Sequence, residues 1–183
     1  MAEQSDTDPL PLPTLDPAPK LMIVCAPFYR TIADNLIAGA SEVLKSVGAG
    51  FDLLEVPGAL EIPTAIRIAS EGQGYEGYVA LGCIIRGETT HYETVCEESA
   101  RGITLLGVQQ GLCIGNGILT VENAAQANVR ADPQDHDKGG GAAKAALHLI
   151  ALARRVRGAP APAFGGSGAA GTAYAGALPT RTA

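Results

Sequence analysis

The chain has 183 residues, with 13 lysines and arginines against 19 aspartates and glutamates, and a formal net charge of -6. This acidic balance argues against a nucleic-acid partner and against an anionic membrane surface, because binding to phosphate groups needs a basic face. The sequence holds no run of about 18 apolar residues, so we expect no transmembrane helix, and its acidic N-terminus is unlike a secretory signal.

The two ends of the chain differ in composition from its middle. Residues 1–19 hold five of the twelve prolines and no apolar periodicity, which is typical of a disordered arm. Residues 158–183 consist mainly of Gly, Ala, Pro and Thr, which is typical of a disordered tail. The folded domain is therefore predicted to span residues 20–157, a length that suits a single domain.

Between these ends, short apolar runs alternate with stretches of helical periodicity. In chain order we predict a strand at 21–26, a helix that ends at Gly48, a strand at 51–56, a helix at 62–70, a strand at 78–83, a long helix from about Tyr92 to Leu106, a strand at 112–119, a helix at 121–129 and a last helix at 140–156. This alternation indicates an α/β fold, a three-layer sandwich in which a four-stranded parallel sheet carries helices on both faces. The exposed edges of so small a sheet favour self-association.

The cysteines favour a reducing compartment. Cys25, Cys83, Cys96 and Cys113 each lie in an apolar stretch, and none forms a C-x-x-C pair. Buried, reduced thiols in a cytoplasmic protein therefore fit better than disulfides or zinc ligands. His136 has no second ligand cluster at useful spacing, and neither a Gly-rich dinucleotide motif nor a Walker sequence occurs, so we expect neither a metal nor a nucleotide cofactor.

The segments that follow the strands are the candidate site, because ligands of open α/β sheets bind beyond the carboxyl ends of the strands. Phe28 follows a proline in the first of these segments. It is either a stacking platform for a flat ring or a lid residue that closes the end of the sheet. Glu61 begins a helix, where the helix dipole favours a carboxylate, or else it accepts hydrogen bonds from ligand hydroxyls.

The segment after the third strand carries the strongest local signal. Gly87, Glu88, Thr89 and Thr90 lead into a helix whose unpaired backbone N–H groups suit an anion. His91 follows in the first turn, where the positive end of the helix disfavours imidazolium and leaves a neutral ring that can take a proton near pH 7. The alternative interpretation of His91 is a polar cap on an exposed turn.

Two cations flank a break rich in Asp and Pro near the end of the domain. Arg130 suits bidentate binding of phosphate, and Lys138 supplies a point charge. The alternative is that both are ordinary charges at helix ends.

Three of these segments together resemble a known family. The sequences VPGALEIP (56–63), LGCIIRGETTH (81–91) and GILTVEN (117–123) resemble, in order, the signature segments of the 6,7-dimethyl-8-ribityllumazine synthase family, and Lys138-Gly139 also fits. The resemblance spans about residues 20–157. It implies a flavodoxin-like sheet of strand order 2-1-3-4 and the penultimate step of riboflavin biosynthesis, a condensation that uses small-molecule substrates and needs no metal or organic cofactor.

Site residues are implied by position in these motifs. His91 would shuttle protons, Phe28 would stack on the uracil ring, and Glu61 would accept from the ribityl hydroxyls. The residues implied to bind 5-amino-6-(D-ribitylamino)uracil are Phe28, Ala59, Leu60, Glu61, Cys83, Ile84, Ile85 and Asn116. The residues implied to bind 3,4-dihydroxy-2-butanone 4-phosphate are Glu88, Thr89, Arg130 and Lys138. The resemblance also implies that Asn116 and the cations reach the site from a neighbouring subunit.

The sequence departs from the family pattern at two positions. Asn116 stands where many members have an aromatic ring, and Glu88 stands where a small residue is common. Two other classes of protein stay open besides the enzyme: a non-catalytic lumazine- or flavin-binding protein, which Asn116 alone favours, and a shell or scaffold protein. Members of the family form pentamers, stacked decamers or sixty-subunit shells. The bulky, acidic segment 131–137 favours a homopentamer.

Overall fold

The computed structural model describes residues 10–72 and 74–158. Its elements are, in chain order, β1 (Lys20–Cys25), α1 (Arg30–Ser46), β2 (Gly50–Glu55), α2 (Glu61–Glu71), β3 (Gly77–Ile85), α3 (His91–Gln110), β4 (Ile114–Val121), α4 (Ala124–Ala131) and α5 (Lys138–Gly158). The alternation of strands and helices confirms the α/β class that the sequence predicts.

The four strands form one parallel sheet of order β2-β1-β3-β4, which confirms the predicted order 2-1-3-4. From β1 the chain proceeds to β2 on one side and then to β3 on the other. The strand order therefore reverses at the carboxyl end of β1, the position at which open α/β sheets bind their ligands.

Helices cover both faces of the sheet. One apolar cluster joins the sheet to α1, α4 and α5, and a second joins it to α2 and α3. In β3, Val79 and Leu81 belong to the first cluster, and Tyr78 and Ala80 belong to the second. Burial on both faces explains the nearly unbroken apolar run of this strand, and the three-layer sandwich is confirmed.

Helix α5 lies very close to the edge strand β4, and glycine permits this approach. A Cβ added at Gly115 would lie 1.8 Å from the carbonyl oxygen of Ala142. Asp137 fixes the start of α5, since its carboxylate accepts a hydrogen bond from the backbone N–H of Gly140 at 2.9 Å. The glycines inside β4 are thus positions of contact between strand and helix.

Several predicted boundaries are wrong: β4, for example, spans Ile114–Val121 rather than 112–119, and two others have a clear physical cause. Strand β3 continues to Ile85 rather than ending at Cys83, because its last residues still pair with β4, with Ile85 opposite Val121. The fourth helix begins at Ala124 rather than Val121, because Asn123 caps it by accepting from the N–H of Gln126 at 3.0 Å.

The described part of the predicted arm, residues 10–19, holds no helix or strand. Within it, Pro19 is buried and Leu15 packs against the first apolar cluster. Of the predicted tail, Gly158 is the last residue of α5, and residues 159–183 lie outside the described residues. None of the described helices combines the length and the apolar character that crossing a membrane would require.

Candidate active site

A cavity of about 450 Å³ lies at the carboxyl ends of the strands. Four segments of the chain enclose it: the residues after β1, the turn after β2, the end of β3 and the start of α3. The lining residues are Ala26, Phe28, Tyr29, Pro57, Gly58, Ala59, Leu60, Glu61, Cys83, Ile84, Ile85, Gly87, Thr89, His91, Tyr92 and Val95. Nine of the predicted site residues are among them: Phe28, Ala59, Leu60, Glu61, Cys83, Ile84, Ile85, Thr89 and His91.

The floor of the cavity is the protruding end of β3. This strand pairs with β1 only as far as Leu81, opposite Cys25, and the N–H of Ala26 still donates to the Leu81 carbonyl at 2.9 Å. Beyond that point β3 continues to Ile85 with β4 as its only partner strand in the described part of the chain. Backbone donors and acceptors of the last residues of β3 therefore face the cavity, where they can pair with the edge of a polar heterocycle.

Phe28 presents an aromatic ring at one wall. Its side chain is 75% exposed, and its only aromatic contact among the described residues is with Tyr29, edge to face, at a centroid distance of 5.1 Å. An exposed ring held by its neighbour leaves one face free, so Phe28 can stack on a flat ligand. The lid interpretation, by contrast, would require a ring that packs onto the end of the sheet.

Glu61 lines the cavity as the first residue of α2. A Cβ added at Gly58 would lie 2.9 Å from its Oε2 atom, so the carboxylate rests over the turn that follows β2. Glu61 is exposed and lines the cavity. Its oxygens can therefore accept hydrogen bonds from hydroxyl groups of a bound molecule.

The start of α3 forms the polar end of the cavity. Thr90 precedes the helix, and within the described chain its side chain makes no capping hydrogen bond. The N–H of His91 donates to Thr89 Oγ1 only at a long distance of 3.4 Å, and the partial positive charge of the helix start suits an anion. His91 is the first residue of this helix, is exposed and lines the cavity, so its imidazole can exchange a proton with a bound ligand.

Cys83 lines the cavity from β3, and burial raises the pKa of its thiol to about 11. The side chain is therefore uncharged near neutral pH and is a poor nucleophile. Its contribution to the cavity is an apolar wall and its backbone groups. In residues 10–72 and 74–158, no group of three or more His, Cys, Asp or Glu side chains is placed to hold a metal ion.

Four predicted site residues lie outside the lining of the cavity. Glu88 is exposed in the loop before α3. Asn116 is exposed on the edge strand β4, where its Oδ1 accepts from the N–H of Ile118 at 3.0 Å. Arg130 lies in α4 and donates to the Gln126 carbonyl at 3.1 Å. Lys138 is the exposed first residue of α5.

Sequence reasoning missed two apolar lining residues of α3, Tyr92 and Val95. Both follow the helical spacing that indicates a buried face, and both are in fact only partly buried. Their position in the sequence could have identified them, because residues in the first turns after His91 lie at the same end of the helix as His91. Tyr29, next to Phe28, was likewise missed as a lining residue.

The chain is similar in sequence to known proteins of one family. The family model for 6,7-dimethyl-8-ribityllumazine synthase matches residues 18–154. A relative of that name from Jannaschia sp. (strain CCS1) is 52% identical over 165 residues, which cover 90% of this chain and 91% of the relative.

Two further relatives carry the same name. The protein from Novosphingobium aromaticivorans is 58% identical over 136 residues, covering 74% of this chain and 97% of its own length. The protein from Bartonella bacilliformis is 54% identical over 139 residues, covering 75% of this chain and 91% of its own length. Residues 18–154, which the family model matches, contain every residue that lines the cavity.

Proposed function

The chain belongs to the 6,7-dimethyl-8-ribityllumazine synthase family, and we propose that its cavity condenses 5-amino-6-(D-ribitylamino)uracil with 3,4-dihydroxy-2-butanone 4-phosphate. The products are 6,7-dimethyl-8-ribityllumazine, phosphate and water, and the reaction is the penultimate step of riboflavin biosynthesis. The observation that carries the proposal is one cavity that combines an exposed aromatic ring, the end of β3 that extends beyond its pairing with β1, and the uncapped start of α3.

The aromatic half of the cavity suits the aminouracil. Phe28 stacks on the pyrimidine ring, while backbone groups of Cys83, Ile84 and Ile85 pair with its polar edge. The ribityl chain extends along residues 59–61, where Ala59 and Leu60 make apolar contacts and Glu61 accepts from its hydroxyls. In this placement, stacking and backbone hydrogen bonds orient the ring, and a side-chain carboxylate binds the hydroxyls of the flexible ribityl chain.

The polar half suits the phosphorylated ketone. Backbone N–H groups at Glu88 and Thr89 bind the phosphate, because the free donors and the dipole of α3 both favour an anion. Arg130 completes this site with a charge-assisted contact, and Lys138 adds positive charge. The side chain of Glu88 is exposed, so it can point to solvent while its backbone binds.

His91 moves protons between the two substrates. The amine of the aminouracil attacks the ketone, and loss of water gives an imine. Removal of a proton then expels phosphate by elimination, and ring closure with loss of a second water gives the lumazine. Each of these steps transfers a proton next to the start of α3, within reach of an exposed imidazole. We propose that no metal or organic cofactor takes part.

The enzyme works as a homo-oligomer in this proposal. Asn116, Arg130 and Lys138 lie outside the cavity of their own chain, so a neighbouring subunit supplies them. Apolar side chains on α2 and α3 are also available for contact: Ile68 is 66% exposed and Val108 is 81% exposed. We favour a homopentamer, and a mass measurement in solution distinguishes it from a decamer or a sixty-subunit shell.

A reducing compartment suits the thiols. All four cysteines are free, and three of them are buried. We therefore place the enzyme in the cytoplasm, where such thiols stay reduced.

The activity is tested by mixing purified protein with both substrates. We expect the absorbance of the lumazine to appear together with stoichiometric release of phosphate. Protein that binds the aminouracil but releases no phosphate would identify a non-catalytic binding protein instead.

A further inference from the structure

Arg86 joins three elements at the rim of the cavity. It is the first residue after β3, and its Nε donates to Glu122, the first residue after β4, at 2.7 Å. Its Nη1 donates to Glu93 in the first turn of α3. Its guanidinium carbon lies 4.1 Å from the ring centroid of Tyr92, which lines the cavity. One side chain thus connects the ends of two strands to the start of a helix.

The segment between these contacts, residues 87–90, is exposed throughout. Few hydrogen bonds hold it in place. Thr89 Oγ1 accepts from the N–H of His91 at 3.4 Å, and the Thr90 carbonyl accepts from the N–H of Thr94 at 3.3 Å. Both bonds are long and remain within the segment and α3. In the described chain, Arg86 makes the side-chain hydrogen bonds between the start of α3 and the end of the sheet at this corner, while Tyr92 and Val95 pack against the second apolar cluster.

The same contacts control the charge around the helix start. Glu93 lies in the first turn of α3, and its hydrogen bond from Arg86 holds the pKa of its carboxyl below the usual range. An unpaired carboxylate at that position would compete with a phosphate for the positive end of the helix. Pairing with the guanidinium offsets this charge beside the start of the helix.

We propose that Arg86 is a positioning residue for the phosphate of the substrate: it fixes residues 87–90 in the shape that presents their N–H groups, and it neutralises Glu93. The assignment rests on the proposed function of the cavity. Arg86 acts through the loop and does not touch the phosphate. Loss of its side chain therefore weakens binding of the phosphorylated ketone much more than binding of the aminouracil.

The test is steady-state kinetics of Arg86→Ala with each substrate varied in turn. We expect the KM for the phosphorylated ketone to rise roughly tenfold, because a small displacement of binding groups is costly, while the KM for the aminouracil changes less than about twofold. Arg86→Lys keeps the charge but can reach only one carboxylate. Its KM for the phosphorylated ketone should therefore lie between those of the wild type and Arg86→Ala. Equal changes in both KM values would overturn the assignment.

Arg101→Ala is the matched control. It removes an arginine of α3 that pairs with Glu98, also on the surface of that helix and outside the cavity, so both KM values should stay at the wild-type level. If Arg86→Ala behaves like Arg101→Ala, Arg86 has no positioning role. Glu122→Gln tests the far end of the connection in case Arg86→Ala folds poorly, and it should shift the same KM in the same direction.

Titration with inorganic phosphate separates this assignment from the proposed function. We expect calorimetry to show weaker phosphate binding to Arg86→Ala than to wild-type protein and to Arg101→Ala. A wild-type protein that binds phosphate but turns over neither substrate would overturn the proposed function, and the assignment of Arg86 would then be decided by the phosphate titration alone. Unchanged phosphate binding in Arg86→Ala would overturn the assignment.

Discussion

Arg30 and Glu55 form a bidentate ion pair across the end of the sheet, with N–O distances of 2.6 and 3.1 Å. Arg30 begins α1 two residues after Phe28, and Glu55 is the last residue of β2. The pair therefore connects the wall segment that carries the aromatic ring to the neighbouring strand.

Replacing Glu55 by Gln should loosen this wall. The neutral amide cannot make the charge-assisted pair, so Phe28 is held less firmly and the KM for the aminouracil should rise about two- to fivefold, the effect expected of an exposed ion pair. Steady-state kinetics with each substrate varied in turn measure this effect. Glu71→Gln, which weakens the Arg67–Glu71 pair on α2 at 3.0 Å, is the control. If Glu55→Gln and Glu71→Gln have the same KM for the aminouracil, the Arg30–Glu55 pair does not position Phe28.

Replacing Phe28 by Ala should raise the KM for the aminouracil and leave the fold intact. The side chain is 75% exposed, so its removal creates no cavity in the core and the melting temperature should stay near that of the wild type. A lost aromatic stack is worth about 0.5–1.5 kcal/mol, or roughly a two- to twelvefold change in KM. Phe28→Tyr keeps the ring and should behave as the wild type. A large loss of stability in Phe28→Ala would instead identify a lid residue.

The buried thiols predict how stability depends on pH. The pKa of the Cys25 thiol is raised from 9.0 to about 12, and burial is the largest cause. The thiol ionises more readily in the unfolded chain, so its contribution to stability is complete below pH 9.0 and is lost as the pH rises towards about 12. Denaturant titrations at several pH values should show a steeper alkaline loss of unfolding free energy in the wild type than in Cys25→Ala. Parallel pH profiles would mean that the Cys25 thiol ionises as easily in the fold as in the unfolded chain.

The sequence predicts the fold well because its signals are local. Apolar runs and helical periodicity locate every strand and helix, and the parallel arrangement brings the segments after the strands to one edge. This is why Phe28, Glu61 and His91, far apart in the chain, line one cavity. The end of β3 was misplaced because pairing with β4, rather than any local pattern, extends this strand to Ile85.

Long-range side-chain pairs leave no such local signal. Arg86 and Glu122 are 36 residues apart, and neither the spacing nor the composition of the sequence indicates that they meet. Glu88 is the carboxylate nearest to Arg86 in the sequence, whereas the structure pairs Arg86 with Glu93 and Glu122. No local pattern of the sequence indicates, either, that Arg130 lies outside the cavity of its own chain.

Replacing His91 by Ala should slow turnover without changing the fold. General acid–base catalysis contributes about 10²–10⁴-fold, and we expect the low end because amines and ketones condense readily without help. The measurement is kcat with both substrates saturating, accompanied by the melting temperature. His148→Ala, on α5 and outside the cavity, should keep the wild-type kcat. If His91→Ala keeps full activity, His91 is a polar cap of α3 and takes no part in the proton transfers.

Mixing two defective chains should restore activity if neighbouring subunits complete each cavity. One chain carries Phe28→Ala and His91→Ala, and the other carries Arg130→Ala, so each homo-oligomer lacks one part of every site. In mixed rings, about one quarter of the sites combine an intact cavity with an intact neighbouring Arg130, since ring interfaces are head-to-tail. Co-expression with two affinity tags isolates the mixed oligomers, and their kcat/KM for the phosphorylated ketone should exceed that of either parent. Mixed oligomers no more active than their parents would show that Arg130 serves the cavity of its own chain or none.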